Sequence, residues 1–355
     1  MGMNLTDNKL YAEDLMKMAD KPLPWEYLKR SHVLIVGATG LIGRTLIDLL
    51  MYMNEERGLI CHITAISRNE QTAHRVFPER YFRSEYFNYI VHDICDSVME
   101  KVVGRYDYVF HLASNTHPVA YATEPVNTIW ANVYGTKKLL DYCADYSGSK
   151  FVFPSSVEIY GENRGDTELF DEEYTGYIKS NTLRSGYPES KRLCEALCQA
   201  YIKEKSVYAV IPRLPRVFGP AMGECDSKAV AQFVQKAVSG EDIVLKSEGQ
   251  QFYSFLYAPD AVSGILTVVF CGKNGEAYNV ADEGCDGTLR EAAGICASIG
   301  GVRVRRDVPD EVERQGYSTA TKARLNGEKI RALGWQPDYN LKEGLERTVT
   351  IIKQI

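Results

Sequence analysis

The apolar positions of this chain fall into short β-branched runs separated by stretches of helical periodicity. Residues 32–37, His-Val-Leu-Ile-Val-Gly, are a continuous apolar run of the kind that fills a buried strand. Comparable runs recur at 61–67, 87–93, 106–114, 150–156 and 206–214. Between them, 41–53, about 119–147 and 187–204 repeat their apolar residues with helical spacing. Strands alternating with helices in this way predict an α/β fold built on a doubly wound parallel sheet over residues 32–214. After 214 the alternation loosens. Helices are expected at 227–239, 260–271, 288–299, 322–333 and 341–353, with strands near 242–246, 251–257 and 276–281. This part, 215–355, reads as a smaller C-terminal α/β lobe whose late segments return to the main domain. Residues 1–31 form an N-terminal extension: Tyr11–Ala19 look helical, Pro22 and Pro24 break the helix, and Trp25 and Tyr27 anchor it on the body. Residues 161–186 lack periodicity, and a loop of that length is usually functional or disordered.

Composition narrows the class. The chain has 355 residues, 45% hydrophobic and 25% charged, as expected of a globular protein of two domains or one large domain with a lobe. A net charge of −6 leaves no basic footprint for nucleic acid. No apolar run approaches the about 18–20 residues that cross a bilayer, and the first residues lack a signal-peptide pattern, so no membrane partner is expected. The nine cysteines are scattered without a Cys-x-x-Cys pair. They read as free thiols in a reducing cytoplasm. Cys194 and Cys198 share a helix face but lack a second ligand pair, and no metal is expected.

Three motifs carry candidate chemistry. Gly37-Ala38-Thr39-Gly40-Leu41-Ile42-Gly43 lies between a predicted strand and a predicted helix. In that context Gly37 permits the tight turn, Gly40 lets backbone N–H groups approach a pyrophosphate, and Gly43 lets the helix pack on the sheet. Tyr187-Pro188-Glu189-Ser190-Lys191 opens a helix, and the i, i+4 spacing puts Tyr187 and Lys191 on one face. A tyrosine of pKa about 10 becomes a usable base when an ammonium beside it stabilises the phenolate. Ser156 closes a predicted strand, where α/β folds bind their ligands, and Glu158 follows two residues later.

Taken in order, these motifs resemble the extended short-chain dehydrogenase/reductase family, in its nucleotide-sugar-modifying branch, over about residues 32–350. Further matches are Asp93-Ile94, Leu112-Ala113-Ser114 after His111, Asn132, and the segment from Pro212 to Pro220. The resemblance implies a Rossmann-like sheet and a bound nicotinamide cofactor. Its contacts would be the phosphate loop, Ser67, Arg68, Asn69, Asp93, Ile94, Leu112, Ala113, Ser114, Asn132, Tyr187, Lys191 and Pro212. It also implies a nucleotide-sugar substrate met by Thr116, Ser156, Glu158, Arg213, Arg216 and Tyr253, and a homodimer paired through the helices near 119–147 and 186–204. NAD is the expected cofactor. Arg68, standing where an acidic residue would bind the ribose 2′-hydroxyl, leaves NADP open.

The implied chemistry makes Tyr187 the acid/base, Lys191 its electrostatic tuner, Ser156 the orienter and Glu158 the group that acts on a transient 4-keto sugar. A 4,6-dehydratase is the first expectation because Glu158 is kept. The dehydratase aspartate and the decarboxylase serine are both replaced by Val157, and an arginine usual in the family is replaced by Tyr253. A 4-epimerase, a UDP-glucuronate-type decarboxylase, an NADPH-dependent carbonyl reductase and a non-catalytic cofactor-binding sensor or scaffold are the alternatives.

Overall fold

A computed structural model describes residues 4–96, 102, 104–116, 118–223, 226–307 and 320–355. The chain starts with helix α1 (Lys9–Ala19), followed by β1 (His32–Val36), α2 (Leu41–Arg57), β2 (His62–Ser67), α3 (Glu70–Val76), α4 (Glu79–Phe82), β3 (Phe87–Val91) and β4 (Tyr108–His111). Next come α5 (Pro118–Thr123), α6 (Pro125–Asp145), β5 (Lys150–Val152), β6 (Ser155–Ser156), α7 (Gly186–Lys205), β7 (Tyr208–Leu214) and β8 (Arg216–Phe218). The later part holds α8 (Ala229–Ser239), β9 (Ile243–Leu245), β10 (Phe252–Tyr257), α9 (Ala258–Cys271), β11 (Ala277–Asn279), β12 (Asp286–Thr288), α10 (Leu289–Gly300), β13 (Val304–Arg306), β14 (Lys322–Ala323) and a last helix, Leu341–Gln354.

The main sheet runs β11-β7-β5-β4-β1-β2-β3, with β6 also on β7, and every pairing is parallel. β1, β4, β5 and β7 bury residues on both faces, which accounts for their unbroken apolar runs. The late strand β11 joins the edge of this sheet beside β7. A second sheet, β12-β10-β14 with β8 against β10, forms the smaller lobe. The backbone crosses from one sheet to the other at Pro215, so Arg216 is the first residue of the strand that enters the lobe.

Two expectations need correction, and the alternatives for a third segment are narrowed. The long helix near 119–147 is two helices, because Pro125 starts α6 at its first position and cannot continue α5. Residues 322–333 are a strand, β14, and a single turn at Glu328–Arg331, since Lys322 and Ala323 pair with β10 instead of coiling. Residues 161–186 are built into the fold. Phe170 is fully buried, stacks on Tyr174 at 4.6 Å, and exchanges backbone hydrogen bonds with Arg324 and Asn326.

The extension is anchored more deeply than by Trp25 and Tyr27, which pack on Phe270 with centroids 6.3 Å away. Helix α1 buries Tyr11, Asp14, Leu15 and Met18, one face at i, i+3, i+4 and i+7 spacing. The Tyr11 hydroxyl donates to buried Asp48 of α2 at 3.0 Å, and Tyr81 donates to the same carboxylate at 3.2 Å. Asp14 accepts from Tyr257 of β10 at 2.7 Å and Tyr339 at 2.8 Å, and pairs with Arg347 of the last helix at 2.8 Å. The extension therefore ties the main sheet's first helix to the smaller lobe.

Candidate active site

The phosphate loop is shaped by close packing. Gly37 has φ +92°, and a Cβ there would lie 2.5 Å from the backbone of Leu112 and Ala113. A Cβ on Gly43 would lie 2.4 Å from the Gly37 carbonyl oxygen. Gly40 is different: its front is open, with only the Gly37 oxygen at 3.4 Å, and it begins α2 without any side-chain cap. The first N–H groups of α2 thus face a cleft with no anionic partner of their own, which fits a dinucleotide pyrophosphate.

That cleft, about 390 Å³, lies at the carboxyl ends of β1, β4 and β6 and reaches into the smaller lobe. Gly37, Gly40–Gly43, Leu112, Ser114, Thr116, Ser156, Glu158, Tyr187, Lys191, Arg216 and Tyr253 all line it. His111 lies at its floor, where burial and then the charge of Lys191 push its pKa down to about 3 and keep it neutral.

Tyr187 is buried in the first turn of α7. Burial pushes its phenol up to about 12; hydrogen bonds from Ser156 and Tyr121 and the charge of Arg184 oppose this, while Glu158 adds to it. Ser156 also caps the next turn by accepting from the Glu158 N–H at 3.2 Å. Lys191 differs from expectation. Its ammonium donates to the Pro154 carbonyl at 2.9 Å and lies over the Phe153 ring at 4.5 Å, and burial pulls its pKa down to about 8. The charge of Arg184 also favours the Tyr187 phenolate.

Glu158 is held by two arginines. Arg184 Nη2 meets Oε2 at 2.7 Å and Arg216 Nη2 stands 3.7 Å from Oε1. Arg216 lies flat on the Tyr253 ring at 3.4 Å, and Arg184 lies over the Tyr121 ring at 4.7 Å. Buried nitrogens of both arginines, Nε and Nη1 of Arg184 and Nη1 of Arg216, have no hydrogen-bond partner among the described residues.

Other expected contacts lie outside the cleft lining. Arg213 spends its donors on Glu195 (3.1 and 2.8 Å), the Tyr160 hydroxyl and the Glu172 carbonyl, fastening β7 to α7. This corrects its expected substrate contact. Asn132 is fully buried and donates to Ser190 at 2.9 Å, which in turn donates to the Tyr187 carbonyl. Its effect on Tyr187 is to fix the backbone of α7. Asn69 caps α3, Asp93 caps the turn at Cys95, and Ser67 bonds to Tyr89. Ile94 is core and Pro212 is inside β7. Thr39 lies within the loop, Ala113 packs against Gly37, and Arg68 is exposed just beyond β2. Tyr121 was not expected. Only its place on the helix preceding α6 could have drawn attention to it.

The NAD dependent epimerase/dehydratase family matches residues 33–281. The chain belongs to this family. It is an enzyme of the kind that modifies nucleotide sugars with NAD. Among similar proteins, UDP-glucuronic acid decarboxylase 1 of Xenopus tropicalis is 28% identical over 322 residues, 90% of this chain and 72% of the relative. UDP-glucuronic acid decarboxylase 5 of Arabidopsis thaliana is 29% identical over 318 residues, 88% of this chain and 87% of the relative. The solved UDP-glucuronic acid 4-epimerase of Bacillus cereus, in complex with UDP-glucuronic acid and NAD, superposes with a TM-score of 0.77 at 21% identity, covering 91% of this chain and 99% of the epimerase. The dTDP-glucose 4,6-dehydratase of Streptomyces venezuelae gives a TM-score of 0.77 at 22% identity, covering 90% and 96%. The two solved structures share the fold of this chain, and among its described residues no helix is long and apolar enough to cross a membrane.

Proposed function

We propose that this enzyme oxidises C4 of a nucleotide-activated uronic acid and releases carbon dioxide from the 4-keto product. The observation that carries the reading is the pair of buried arginines, Arg184 and Arg216, with donors still unspent beside Tyr187. A sugar carboxylate supplies the acceptors those donors lack. NAD, when bound, supplies the two-electron acceptor and donor at C4, and the uncapped N-terminus of α2 and Lys191 are the groups that would hold it. Ser156 orients the C4 hydroxyl and Tyr187 takes its proton. Oxidation makes the sugar a β-keto acid, so the C5–C6 bond breaks with its electron pair moving into the C4 carbonyl. Proton return at C5 and re-reduction at C4 complete the cycle.

Two features favour decarboxylation over the dehydration expected from Glu158 alone. Dehydration needs a neutral acid to protonate the leaving hydroxyl, and the neighbour of Glu158 is Val157. Glu158 is also engaged by two guanidiniums, so both of its oxygens already have partners. The loss of an arginine at 253 is answered by Arg216, whose guanidinium lies on the Tyr253 ring. The relatives named as UDP-glucuronic acid decarboxylases support the same substrate class. Dehydration is the second reading, favoured by the presence of Glu158 in the cleft with Tyr187. The test is mass spectrometry of UDP-glucuronic acid, UDP-glucose and dTDP-glucose after incubation with the enzyme. Loss of carbon dioxide from the uronic acid is expected; loss of water from a hexose, with the uronic acid untouched, overturns the reading.

We also propose a homodimer formed by α6 and α7. Their outer faces expose Val126, Ile129, Trp130 and Leu193, an apolar patch suited to a second copy. The eight cysteines in the described residues are all free, in keeping with the reducing cytoplasm proposed for it; Cys225 lies outside those residues.

A further inference from the structure

Oxidation at C4 needs a tyrosine that can give up its proton, yet Tyr187 is buried in a site that resists its ionisation. Lys191, the expected source of relief, is turned to the Pro154 carbonyl. A second phenol stands beside Tyr187. Tyr121, on α5, is buried, and its ring stacks on the Tyr187 ring with centroids 4.9 Å apart and planes 28° apart. The Arg184 guanidinium also lies over the Tyr121 ring, at 4.7 Å from its centroid. Arg184 is in turn paired with Glu158 at 2.7 Å. Glu158, Arg184, Tyr121 and Tyr187 therefore form one continuous run of contacts from the carboxylate to the phenol.

We propose that Tyr121 is a positioning residue for the oxidation step, which acts by donating a hydrogen bond to the Tyr187 oxygen as that oxygen becomes a phenolate. Two features make it suitable. Burial keeps its own hydroxyl protonated, so it remains a donor across the working pH range. Arg184 lies on its ring face and draws electron density from the ring, which strengthens the O–H as a donor. The stacking fixes the two rings together, so the donor needs no rearrangement when charge develops. The titratable and charged groups that share the cleft wall with Tyr187 are Tyr121, Arg184, Glu158, Lys191 and His111, and the Ser156 hydroxyl bonds to it. Ser156 is assigned to orient the substrate hydroxyl, which leaves Tyr121 as the second neutral donor for Tyr187.

This inference rests on the assignment of Tyr187 as the base for C4 oxidation. The test is the pH dependence of kcat/KM on UDP-glucuronic acid for the wild-type enzyme, Tyr121→Phe and Tyr121→Leu, with bound NAD and thermal unfolding measured for each. Phe keeps the stacked ring and removes only the hydroxyl. The acidic limb is expected to move up by about half to one pH unit in Tyr121→Phe, the size of one lost hydrogen bond to a developing charge. KM is expected to stay within about twofold, because Tyr121 acts through Tyr187. Tyr121→Leu is expected to shift the limb in the same direction, and serves if the Phe variant does not fold. An unshifted limb in a folded variant that holds NAD overturns the inference while leaving the assigned reaction intact. A wild-type enzyme silent on UDP-glucuronic acid, UDP-glucose and dTDP-glucose overturns both.

Discussion

Arg184 Nη2 meets Glu158 Oε2 at 2.7 Å in the cleft wall, although the two residues stand 26 positions apart in the chain. The contact joins the turn after β6 to the segment that leads into α7. It leaves the guanidinium with two buried donors, Nε and Nη1, without a partner among the described residues, in a cleft that Tyr187 also lines. On the proposed reading, a sugar carboxylate supplies the acceptors these donors lack and a neutral hexose does not.

Arg184→Gln should therefore erode selectivity more than turnover of a neutral sugar. A hydrogen-bonded charge pair is worth about 1.5–3 kcal/mol, which corresponds to about 10–100-fold in kcat/KM. The ratio of kcat/KM for UDP-glucuronic acid over UDP-glucose is expected to fall by that factor. Steady-state kinetics on both sugars checks it, and an unchanged ratio would remove Arg184 from substrate recognition.

Tyr187→Phe should abolish the oxidation without emptying the cofactor site. The variant keeps the ring that stacks on Tyr121 and loses only the proton acceptor. Turnover is expected to drop by about 10²–10⁴-fold, the usual contribution of a positioned acid/base. Lys191→Met should behave differently. Its amine is buried at the cleft and bonded to the Pro154 carbonyl, so its loss is expected to lower the NAD content of purified protein as well. Absorbance of protein-bound cofactor distinguishes the two outcomes, and full NAD retention by Lys191→Met would count against that role.

Stability should depend on pH through Asp48. This carboxylate has no solvent exposure, and burial raises its pKa to about 6 from an ordinary value of 3.8, against the opposing pull of Arg44, Tyr11 and Tyr81. The folded state binds the proton more tightly than the unfolded chain. Its contribution is fully present below about pH 4 and is lost as pH rises through about 6, so folding stability falls across that window. A shift of about two units corresponds to about 3 kcal/mol. Denaturant unfolding from pH 4 to 7 should show this loss in the wild type and a flatter profile in Asp48→Asn. Equal slopes in both proteins would mean that Asp48 is not the source.

Much of the fold was legible because its strands are buried on both faces. β1, β2, β4 and β7 announce themselves as apolar runs, and the glycines of the phosphate loop follow from the turn they must make. Pairings that depend on distant segments left no such trace. β14 is two residues long, and only its register against β10 makes it a strand. Asp14 and Asp48 look like surface residues of amphipathic helices until the tyrosines that satisfy them arrive from elsewhere in the chain. In the site, Tyr187, Ser156 and Glu158 could be placed because motif spacing fixes them. The direction of Lys191, the diversion of Arg213 to Glu195 and the stacking of Tyr121 depend on side-chain geometry that spacing does not encode. The alternation also hid the break at Pro125, since α5 and α6 share one apolar periodicity on either side of it.

The outer face of α6 and α7 gives the last prediction. Val126, Ile129 and Trp130 follow i, i+3, i+4 spacing on α6, and Leu193 projects from α7, which packs against α6. Trp130 is 53% exposed and Leu193 50% exposed in the single chain. Large apolar side chains grouped in this way are unfavourable in water and are a surface on which a second copy gains about 25 cal/mol for each Å² it covers. A two-fold axis through this face would bring Trp130 and Leu193 of each copy onto the same patch of the other. Trp130→Asp with Leu193→Glu would place like charges opposite one another at that axis while leaving the buried faces of both helices untouched. Sedimentation velocity is expected to show a dimer for the wild type and a monomer for the double variant, with bound NAD retained because the cleft lies on the other side of α7 from Leu193. A wild-type monomer, or a variant that remains dimeric, would exclude this face as the interface.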